Sequence, residues 1–438
     1  MRHLFTIILM IVAMGLNAKS LQFHVSVTNS WNQEKRYEPV VIKLKDVPGL
    51  NFDVQSATVF IGNHSGQIDP VAVIQLACQL DDWNGDQRVD ELVFMAEIKA
   101  NASADYTIEL FDDLSGDDEF GKPTSVGDRR WVYADMMLED KKDKHPLITA
   151  LEAPGDSYLY NDLYHHGVAF ENELCGFRIY FDQRQNIDIY GKKKRQLELA
   201  QTNFYTTPEQ MKQDFGNDVL WAGNSIGCGS FKGWDGTAPT NIEPVTTRGQ
   251  RIIAAGPLRT IVEVKDIGWN GLNMRQYYIL YAWHRECEVR IEFDRSLTSE
   301  TFATGVQKIG AHPAGYMHKE GEGIIWASWG SDYPEMGKKE QFPPEAVGLA
   351  VYVPKQYIKA TPESDLNYLF VLGARGQTSL HYYVAFCADK EVPVDLYIAH
   401  RFATLDAPAG YHDGPVWFDA MPGWKEHLEH PVSIKIKK

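Results

Sequence analysis

The sequence predicts an all-β protein, in which a small N-terminal β-sandwich or barrel domain precedes a large antiparallel β domain. Short runs that alternate apolar and polar residues, the period of a half-buried strand, recur from residue 21 almost to the end. Turn residues separate the early runs at roughly ten-residue spacing, as in sandwiches and barrels. An acidic stretch rich in Gly, Ser and Pro at 112–128 marks the boundary, so we predict domains at 21–125 and 126–438.

Two segments depart from this strand pattern. Residues 207–217 predict a short helix with a proline at its start. The C-terminal segment 424–438 predicts a second short helix followed by a final strand. No repeat, heptad or low-complexity tract is evident.

The N-terminus has the features of a secretory signal peptide, predicted at residues 1–20. Basic Arg2 and His3 precede an apolar run from Leu4 to Leu16, and the small residues Ala18 and Ser20 follow. The run is too short to span a bilayer, and no later segment is apolar enough to do so. We therefore expect a secreted, periplasmic protein. No cysteine lies near the cleavage region, so a lipid anchor is not expected.

Charge and cysteine content narrow the classes of partner. With 43 basic and 59 acidic residues the formal net charge is −16, which disfavours nucleic acid and anionic membranes. An anionic sugar remains compatible, because residues 192–195 (KKKR) concentrate positive charge locally, although a solvated basic turn explains them as well. The five cysteines are widely spaced with no CxxC pair, so buried free thiols are favoured over a cysteine zinc site.

One loop resembles a calcium-binding pattern. Oxygen-bearing side chains occupy positions 1, 3, 5 and 9 of a loop, as a hard cation requires: Asp82, Asn84, Asp86 and Asp90. Position 6 is Gln87 where glycine is usual, and position 12 is Val93 where glutamate is usual. The alternative is an acidic Asn-Gly turn between strands. We predict a structural calcium ion there and no organic cofactor, since dinucleotide and P-loop glycine patterns are absent.

The densest group of proton-transfer side chains lies between residues 159 and 194. His165 and His166 enter a predicted strand, on which Arg178 and Tyr180 share a face. The next strand places polar side chains on one face: Asp188, Tyr190 and Lys192. Only four residues, 182–185, separate the two strands, which therefore predict a hairpin with adjacent polar faces.

These residue types suit acid–base chemistry on an anionic substrate. Histidine titrates near neutral pH, so His165 or His166 is a candidate acid or base, and we favour His166. Arg178 or Lys192 is a candidate partner for a carboxylate. Tyr180 and Tyr190 are candidate proton donors, although tyrosine is also common in sheets. A salt bridge within the sheet is the alternative for Arg178.

Substrate contacts are predicted from carboxylates in the same segment and from aromatic residues beyond it. The candidates are Glu171, Glu173, Asp188, Trp221, Trp234, Trp283 and His284. Each tryptophan is individually more typical of a core than of a sugar-stacking platform, and a structural role is favoured for His284.

The elements DDWNGDQRVDELVF (81–94), YHHG (164–167) and ENELCGFRIYFDQRQNIDIYGK (171–192) resemble an uncharacterised family of secreted Bacteroidetes proteins. That family is known only as a domain of unknown function and tends to be encoded among genes for plant and algal polysaccharide breakdown. The most specific matching positions are His166, Gly167, Glu171, Arg178, Tyr180, Asp188, Tyr190, Gly191 and Lys192. More distantly, the arrangement is similar to exo-rhamnogalacturonan lyases and to galactose-mutarotase-like β-supersandwiches.

The resemblance implies a carbohydrate site on the large domain but does not fix the reaction. Our leading hypothesis is a periplasmic enzyme that acts on uronate-containing oligosaccharides by β-elimination, as a lyase or dehydratase. The alternatives are a mutarotase-like epimerase or glycoside hydrolase, using His166 with Glu171 or Glu173, and a non-catalytic glycan-binding protein.

Overall fold

The structure is a computed structural model that describes residues 18–62, 74–116, 118–119, 130–140, 142, 144–335, 337–391 and 411–437. The predicted signal peptide lies almost entirely outside these ranges, as does most of the predicted linker. Strands dominate the described residues, which confirms the all-β prediction. No helix among them is long and apolar enough to cross a membrane.

The N-terminal strands are β1 (Ser20–Asn29), β2 (Lys35–Lys43), β3 (Ser56–Ile61), β4 (Gln75–Leu76), β5 (Cys78–Asp81), β6 (Glu91–Ile98), β7 (Ala102–Phe111) and β8 (Asp118–Glu119). The central elements are β9 (Val132–Asp135), β10 (Ala150–Pro154), β11 (Gly167–Asn172), β12 (Cys175–Tyr180), β13 (Ile187–Gly191), α1 (Leu199–Thr202), α2 (Pro208–Lys212), β14 (Asn217–Asp218), β15 (Lys232–Trp234) and β16 (Pro239–Thr240).

The remaining elements are β17 (Thr247–Ala255), β18 (Arg259–Trp269), β19 (Leu272–Tyr281), β20 (Cys287–Phe293), β21 (Phe302–Gln307), β22 (Ala314–His318), β23 (Gly323–Asp332), β24 (Glu345–Pro354), β25 (Ile358–Ala360), β26 (Asn367–Leu372), β27 (Ser379–Ala388), α3 (Gly414–Glu429) and β28 (Ser433–Lys437). Both predicted helices are present. Helix α2 begins with a capping box between Thr207 and Gln210 and ends earlier than predicted.

The first strands form a two-sheet sandwich. One sheet has the order β28-β1-β7-β3-β4, with β8 also on β3, and the other has the order β2-β6-β5. Alternate residues of β1 (Phe23, Val25 and Val27) are buried in the core between the sheets, as the period of two predicts. The final strand β28 pairs antiparallel with β1, so the end of the chain belongs to the N-terminal sandwich.

The larger part of the molecule packs three antiparallel sheets around one extended core. The largest has nine strands, in the order β10-β17-β18-β19-β20-β27-β24-β23-β22. Two five-stranded sheets, β14-β13-β12-β11-β9 and β16-β15-β21-β26-β25, pack with it. This arrangement agrees with the predicted β-supersandwich.

The sheet β14-β13-β12-β11-β9 carries the segment singled out from the sequence. Strands β12 and β13 pair antiparallel with Arg178 opposite Asp188, which confirms the predicted hairpin. Phe177, Ile179 and Ile189 point into the core, because side chains alternate across a strand. The same alternation places Arg178, Tyr180 and Asp188 on the opposite, polar face.

Candidate functional site

Arg178 is the centre of the polar face. Its side chain is only 2% exposed, and its guanidinium donates hydrogen bonds to four side chains: Asp188, Tyr180 (3.1 Å), Tyr205 (3.1 Å) and Asp218 (3.3 Å). Its Nε has no hydrogen-bond partner among the described residues. The Phe204 ring lies 4.1 Å from the guanidinium carbon, a cation–π contact that fixes the plane of the fork.

Two carboxylates share this one arginine, and they differ in exposure. The side chain of Asp188 is 3% exposed and that of Asp218 is 27% exposed. Burial, together with the negative charge of Asp188, raises the pKa of Asp218 well above its usual value. Asp188 also accepts a hydrogen bond from the Tyr180 hydroxyl at 2.5 Å. The shift favours the protonated form of Asp218.

His166 lies beside this cluster in a defined protonation state. Its Nδ1 is 2.8 Å from the Tyr160 carbonyl oxygen. A carbonyl can only accept, so Nδ1 carries a hydrogen, and in the neutral ring the lone pair lies on Nε2. Burial lowers the pKa of His166, which favours this neutral form. The imidazole stacks on the Tyr160 ring at 3.8 Å, and the Tyr180 and Tyr205 rings are 6.3 and 6.1 Å away.

The sequence His166-Gly167 produces this placement. His166 has a positive φ of 66°, so the chain turns sharply where it enters β11. A Cβ on Gly167 would meet the Ile179 carbonyl oxygen at 1.9 Å, so only glycine allows β11 to approach β12 there. His165 points the other way. It is fully buried, and its Nε2 is 2.8 Å from Asp135, so the structure does not bring it into the site.

Three further predicted site residues, Glu171, Tyr190 and Lys192, form a closed cluster. Lys192 donates to the Glu171 carboxylate and to two backbone carbonyls, at 2.6 and 2.7 Å. The Tyr190 hydroxyl contacts Glu198 at 2.9 Å, Thr206 and a backbone carbonyl. All three side chains are buried. The structure therefore places these three groups in a buried, mutually bonded cluster, and the roles predicted for them stay predictions.

Glu173 is also displaced from the Arg178 cluster. It lies in the turn between β11 and β12, at the opposite end of that hairpin from Tyr180. Its backbone carbonyl accepts a hydrogen bond from Gln196 at 3.2 Å. This position separates it from His166, with which it was a candidate acid–base pair.

Four residues of the site were not predicted: Tyr160, Arg184, Tyr205 and Asp218. Arg184 is 38% exposed and pairs with Asp182. Its guanidinium carbon lies 5.0 Å from the Tyr160 ring and 5.1 Å from the Tyr180 ring. Arg184 lies in the turn between β12 and β13, and its position in the predicted hairpin turn is the sequence feature that could have identified it. No local sequence pattern pointed to Tyr205, which follows α1, or to Asp218, which lies on β14.

A polar cavity of about 410 Å³ adjoins Arg184. Amide side chains line much of it: Gln183, Asn186, Asn224, Asn241 and Asn367. Lys232 also lines it and donates to Asn186 at 2.7 Å, and burial lowers the pKa of Lys232 to about 7. Two predicted tryptophans flank the cavity. Trp221 is 48% exposed, and its Nε1 is 3.1 Å from where a Cβ on Gly223 would lie. Trp234 packs against Ile226.

Trp283 and His284 lie far from this group, at the junction with the N-terminal sandwich. The Trp283 ring stacks on Tyr37 with centroids 4.4 Å apart. His284 Nδ1 is 2.8 Å from Glu286. The structure therefore does not place either residue with the predicted substrate contacts.

The predicted calcium loop is stabilised by its own backbone. Asp82 accepts hydrogen bonds from the amides of Gly85 (2.7 Å) and Gln87 (2.8 Å). The other three predicted ligands, Asn84, Asp86 and Asp90, each accept one backbone amide in the same loop. These are the bonds of an acidic turn, and calcium binding by this loop stays a prediction.

Fold and site together define an all-β protein with a histidine–tyrosine–arginine–aspartate cluster on the polar face of a sheet. The chain belongs to the family described as Domain of unknown function (DUF4861), whose model matches residues 27–434. This agrees with the resemblance to a domain of unknown function. No curated protein matches the sequence at a significant level.

Two solved structures are similar in fold. One is a protein in the glycosyl hydrolase family 38 from Enterococcus faecalis, with 7% identity and a TM-score of 0.43, covering 95% of this chain and 47% of that one. The other is an alpha-mannosidase from Enterococcus faecalis V583, with 8% identity and a TM-score of 0.36, covering 95% and 46%. The chain spans about half the length of these structures. Likeness at this level carries no information on activity.

Proposed function

We propose that this chain is a periplasmic carbohydrate-active enzyme that acts on uronate-containing oligosaccharides by β-elimination, with His166 as the base. One observation carries the proposal. A neutral imidazole, whose Nδ1 is tied to a carbonyl at 2.8 Å, lies beside two tyrosines whose hydroxyls are bound to one buried arginine. Base, proton donors and cation are thus grouped, as proton abstraction next to a carboxylate requires.

In this elimination, Nε2 of His166 takes the proton from C5 of the uronate. The electron pair of the broken C5–H bond forms the C4–C5 double bond, and the C4–O bond breaks. The departing oxygen takes a proton from an acid in the site. Loss of a sugar at this step makes the enzyme a lyase, and loss of water makes it a dehydratase.

Tyr205 is the better placed acid. Its hydroxyl accepts from Arg178 at 3.1 Å, and no acceptor among the described residues takes its proton. Burial raises its pKa to about 12, so the proton stays until negative charge develops on the leaving oxygen. Arg178 then stabilises the phenolate that forms. The Tyr180 hydroxyl donates its proton to a hydrogen bond with Asp188 and accepts one from Arg178. We therefore assign Tyr180 a role in positioning Arg178 and Asp188.

Arg184 is the cation best placed for the uronate carboxylate. Arg178 is buried and its charge is balanced by Asp188, whereas Arg184 is 38% exposed. Its guanidinium contacts the rings of Tyr160 and Tyr180, and Tyr160 in turn stacks on the His166 ring. The amide-lined cavity beyond Arg184 offers donors and acceptors for the hydroxyl groups of neighbouring sugars.

The test incubates the purified mature protein, with calcium present, with pectic, ulvan-type and glucuronate-bearing oligosaccharides. Ultraviolet absorbance and product mass are followed together. New absorbance with cleavage identifies a lyase, and new absorbance with the loss of one water identifies a dehydratase. Anomer exchange without a change in mass identifies an epimerase, and saturable binding without turnover identifies a glycan-binding protein. Either of the last two results contradicts the proposal.

A glycoside hydrolase is the second candidate, and the raised pKa of Asp218 favours it. A carboxyl group that holds its proton is a general acid for hydrolysis, and an ionised carboxylate beside it is the usual partner. Asp218 meets the description of the acid, and Asp188 is the neighbouring carboxylate, in place of the predicted glutamates. Cleavage without new ultraviolet absorbance would favour this candidate.

A further inference from the structure

A second cluster of chemically active side chains lies outside the proposed catalytic site. His284, Glu286 and His427 each offer one ligand atom, and these atoms lie within 4.8 Å of one another. Among the described residues, no other group of three His, Cys, Asp or Glu side chains meets that distance. His284 and Glu286 come from the connection between β19 and β20, whereas His427 comes from α3.

Both histidines are anchored through their outer nitrogen. His284 Nε2 donates to the Tyr37 carbonyl oxygen at 2.8 Å. Its Nδ1 is 2.8 Å from the Glu286 carboxylate, so zinc takes the place of the Nδ1 hydrogen, which is released to solvent. His427 Nε2 is 3.3 Å from Glu38, and Lys35 holds the other Glu38 oxygen at 3.1 Å. Histidines that ligate a metal almost always donate their second N–H to a carbonyl or carboxylate, which orients the ring.

The cluster is shielded yet has room for one more ligand. The side chains of His284, Glu286 and His427 are 11%, 12% and 14% exposed. All three line a cavity of about 190 Å³. Two imidazoles and one carboxylate, with an open fourth position for water, form a ligand set that zinc takes in proteins. Imidazole ligands also disfavour magnesium and calcium, which prefer oxygen.

We propose that His284, Glu286 and His427 bind one zinc ion that joins the large sheet to the C-terminal helix. The outer partners Tyr37 and Glu38 lie on β2, so the same ion organises the junction with the N-terminal sandwich. Trp31 strengthens this junction, because its ring contacts His427 with centroids 6.0 Å apart. The proposed ion holds the junction together, and its assignment is independent of the elimination chemistry at His166.

The test measures metal content and unfolding temperature on the full mature chain. Protein purified without chelator is analysed by elemental mass spectrometry, then stripped with a chelator and dialysed against zinc or cobalt(II). We expect one zinc per chain, a lower Tm after stripping, recovery on adding zinc, and the visible absorption of four-coordinate cobalt(II). Zinc content near zero after reconstitution of folded protein overturns the proposal.

The chain offers a matched control at the C-terminal end of the same helix. His430 stacks on Trp31 at 5.5 Å, and its Nδ1 is bonded to a backbone carbonyl of α3. We expect His427→Gln to lose zinc and His430→Gln to keep it. Glu286→Gln, which keeps the side-chain volume, provides a second variant with weaker zinc binding should His427→Gln fail to fold. Equal zinc content in folded His427→Gln and wild type would contradict the assignment.

Discussion

Two charge clusters lie on one sheet face and contain the same kinds of residue, but they differ in hydrogen bonding and in exposure. Lys192 uses all three of its donors on Glu171 and two backbone carbonyls, and the side chains of Glu171, Tyr190 and Lys192 are buried. Arg178 is shared among two carboxylates and two phenols and keeps an unpaired Nε. Two of its partners, Tyr205 and Asp218, are 39% and 27% exposed.

The segment that covers the sheet makes the difference. The backbone amides of Glu198 and Leu199 bind the Glu171 carboxylate, so the start of α1 seals the Lys192 cluster. The chain then passes Arg178 at Phe204 and Tyr205 and leaves two partners of the buried arginine, Tyr205 and Asp218, partly exposed. A saturated ion pair stabilises the fold, whereas one with partly exposed partners is available for chemistry.

We call Arg178, its four side-chain partners and the neighbouring His166 the open cluster. The largest expected effect on activity comes from substituting His166. We expect His166→Gln to lower kcat/KM by about 10²–10⁴-fold, the usual contribution of a general base, with an unchanged Tm. Burial lowers the pKa of His166, and the neutral form is the base. Activity should therefore fall with decreasing pH only below about 6.5, the ordinary histidine pKa. A variant that keeps full activity on a confirmed substrate would contradict the role.

The closed cluster should respond in stability instead. Lys192→Met leaves the buried Glu171 carboxylate without its cation, which should cost about 3–5 kcal/mol of unfolding free energy. Denaturant titration measures this. Lys193→Met is the matched control, since Lys193 is 35% exposed and its nearest carboxylate is 3.5 Å away. Its loss should cost only about 0–1 kcal/mol, and equal losses would contradict the distinction.

Strand periodicity explains which parts of the site could be predicted. Arg178, Tyr180 and Asp188 were placed on one polar face because the period of two and a short turn define a hairpin. Tyr205 and Asp218 lie 27 and 40 residues beyond Arg178, and long-range packing brings them back. Periodicity also assigned Tyr190 and Lys192 to the polar face, but it carries no information about the segment that buries them.

In the fold as well, local elements could be predicted from the sequence, and pairings between distant segments could not. Alternating runs predicted the strands, and 207–217 predicted α2 because its capping residues are local. The pairing of β28 with β1 joins segments about as far apart as the chain allows. No local pattern encodes such a pairing. The junction that gathers His284, Glu286 and His427 also joins distant segments and was likewise not predicted.

A pair of single-atom deletions sharpens the comparison between the clusters. Tyr205→Phe removes a hydroxyl of the open cluster and should lower kcat by about 10²-fold, with little change in Tm. Tyr190→Phe removes a buried hydroxyl with three partners and should cost about 1–3 kcal/mol of stability. Its kcat per folded molecule should be unchanged. Reversed effects would show that the closed cluster takes part in the chemistry.

The smallest expected effect concerns Arg184 at the edge of the open cluster. Arg184→Gln should raise KM by about 10-fold, equivalent to about 1.4 kcal/mol of lost charge-assisted hydrogen bonding, because Asp182 already takes part of its charge. For a methyl-esterified substrate, which lacks the uronate charge, the KM of Arg184→Gln should equal that of the wild type. If the ester and the acid lose affinity equally, Arg184 contacts the sugar elsewhere, and the carboxylate is bound by another cation.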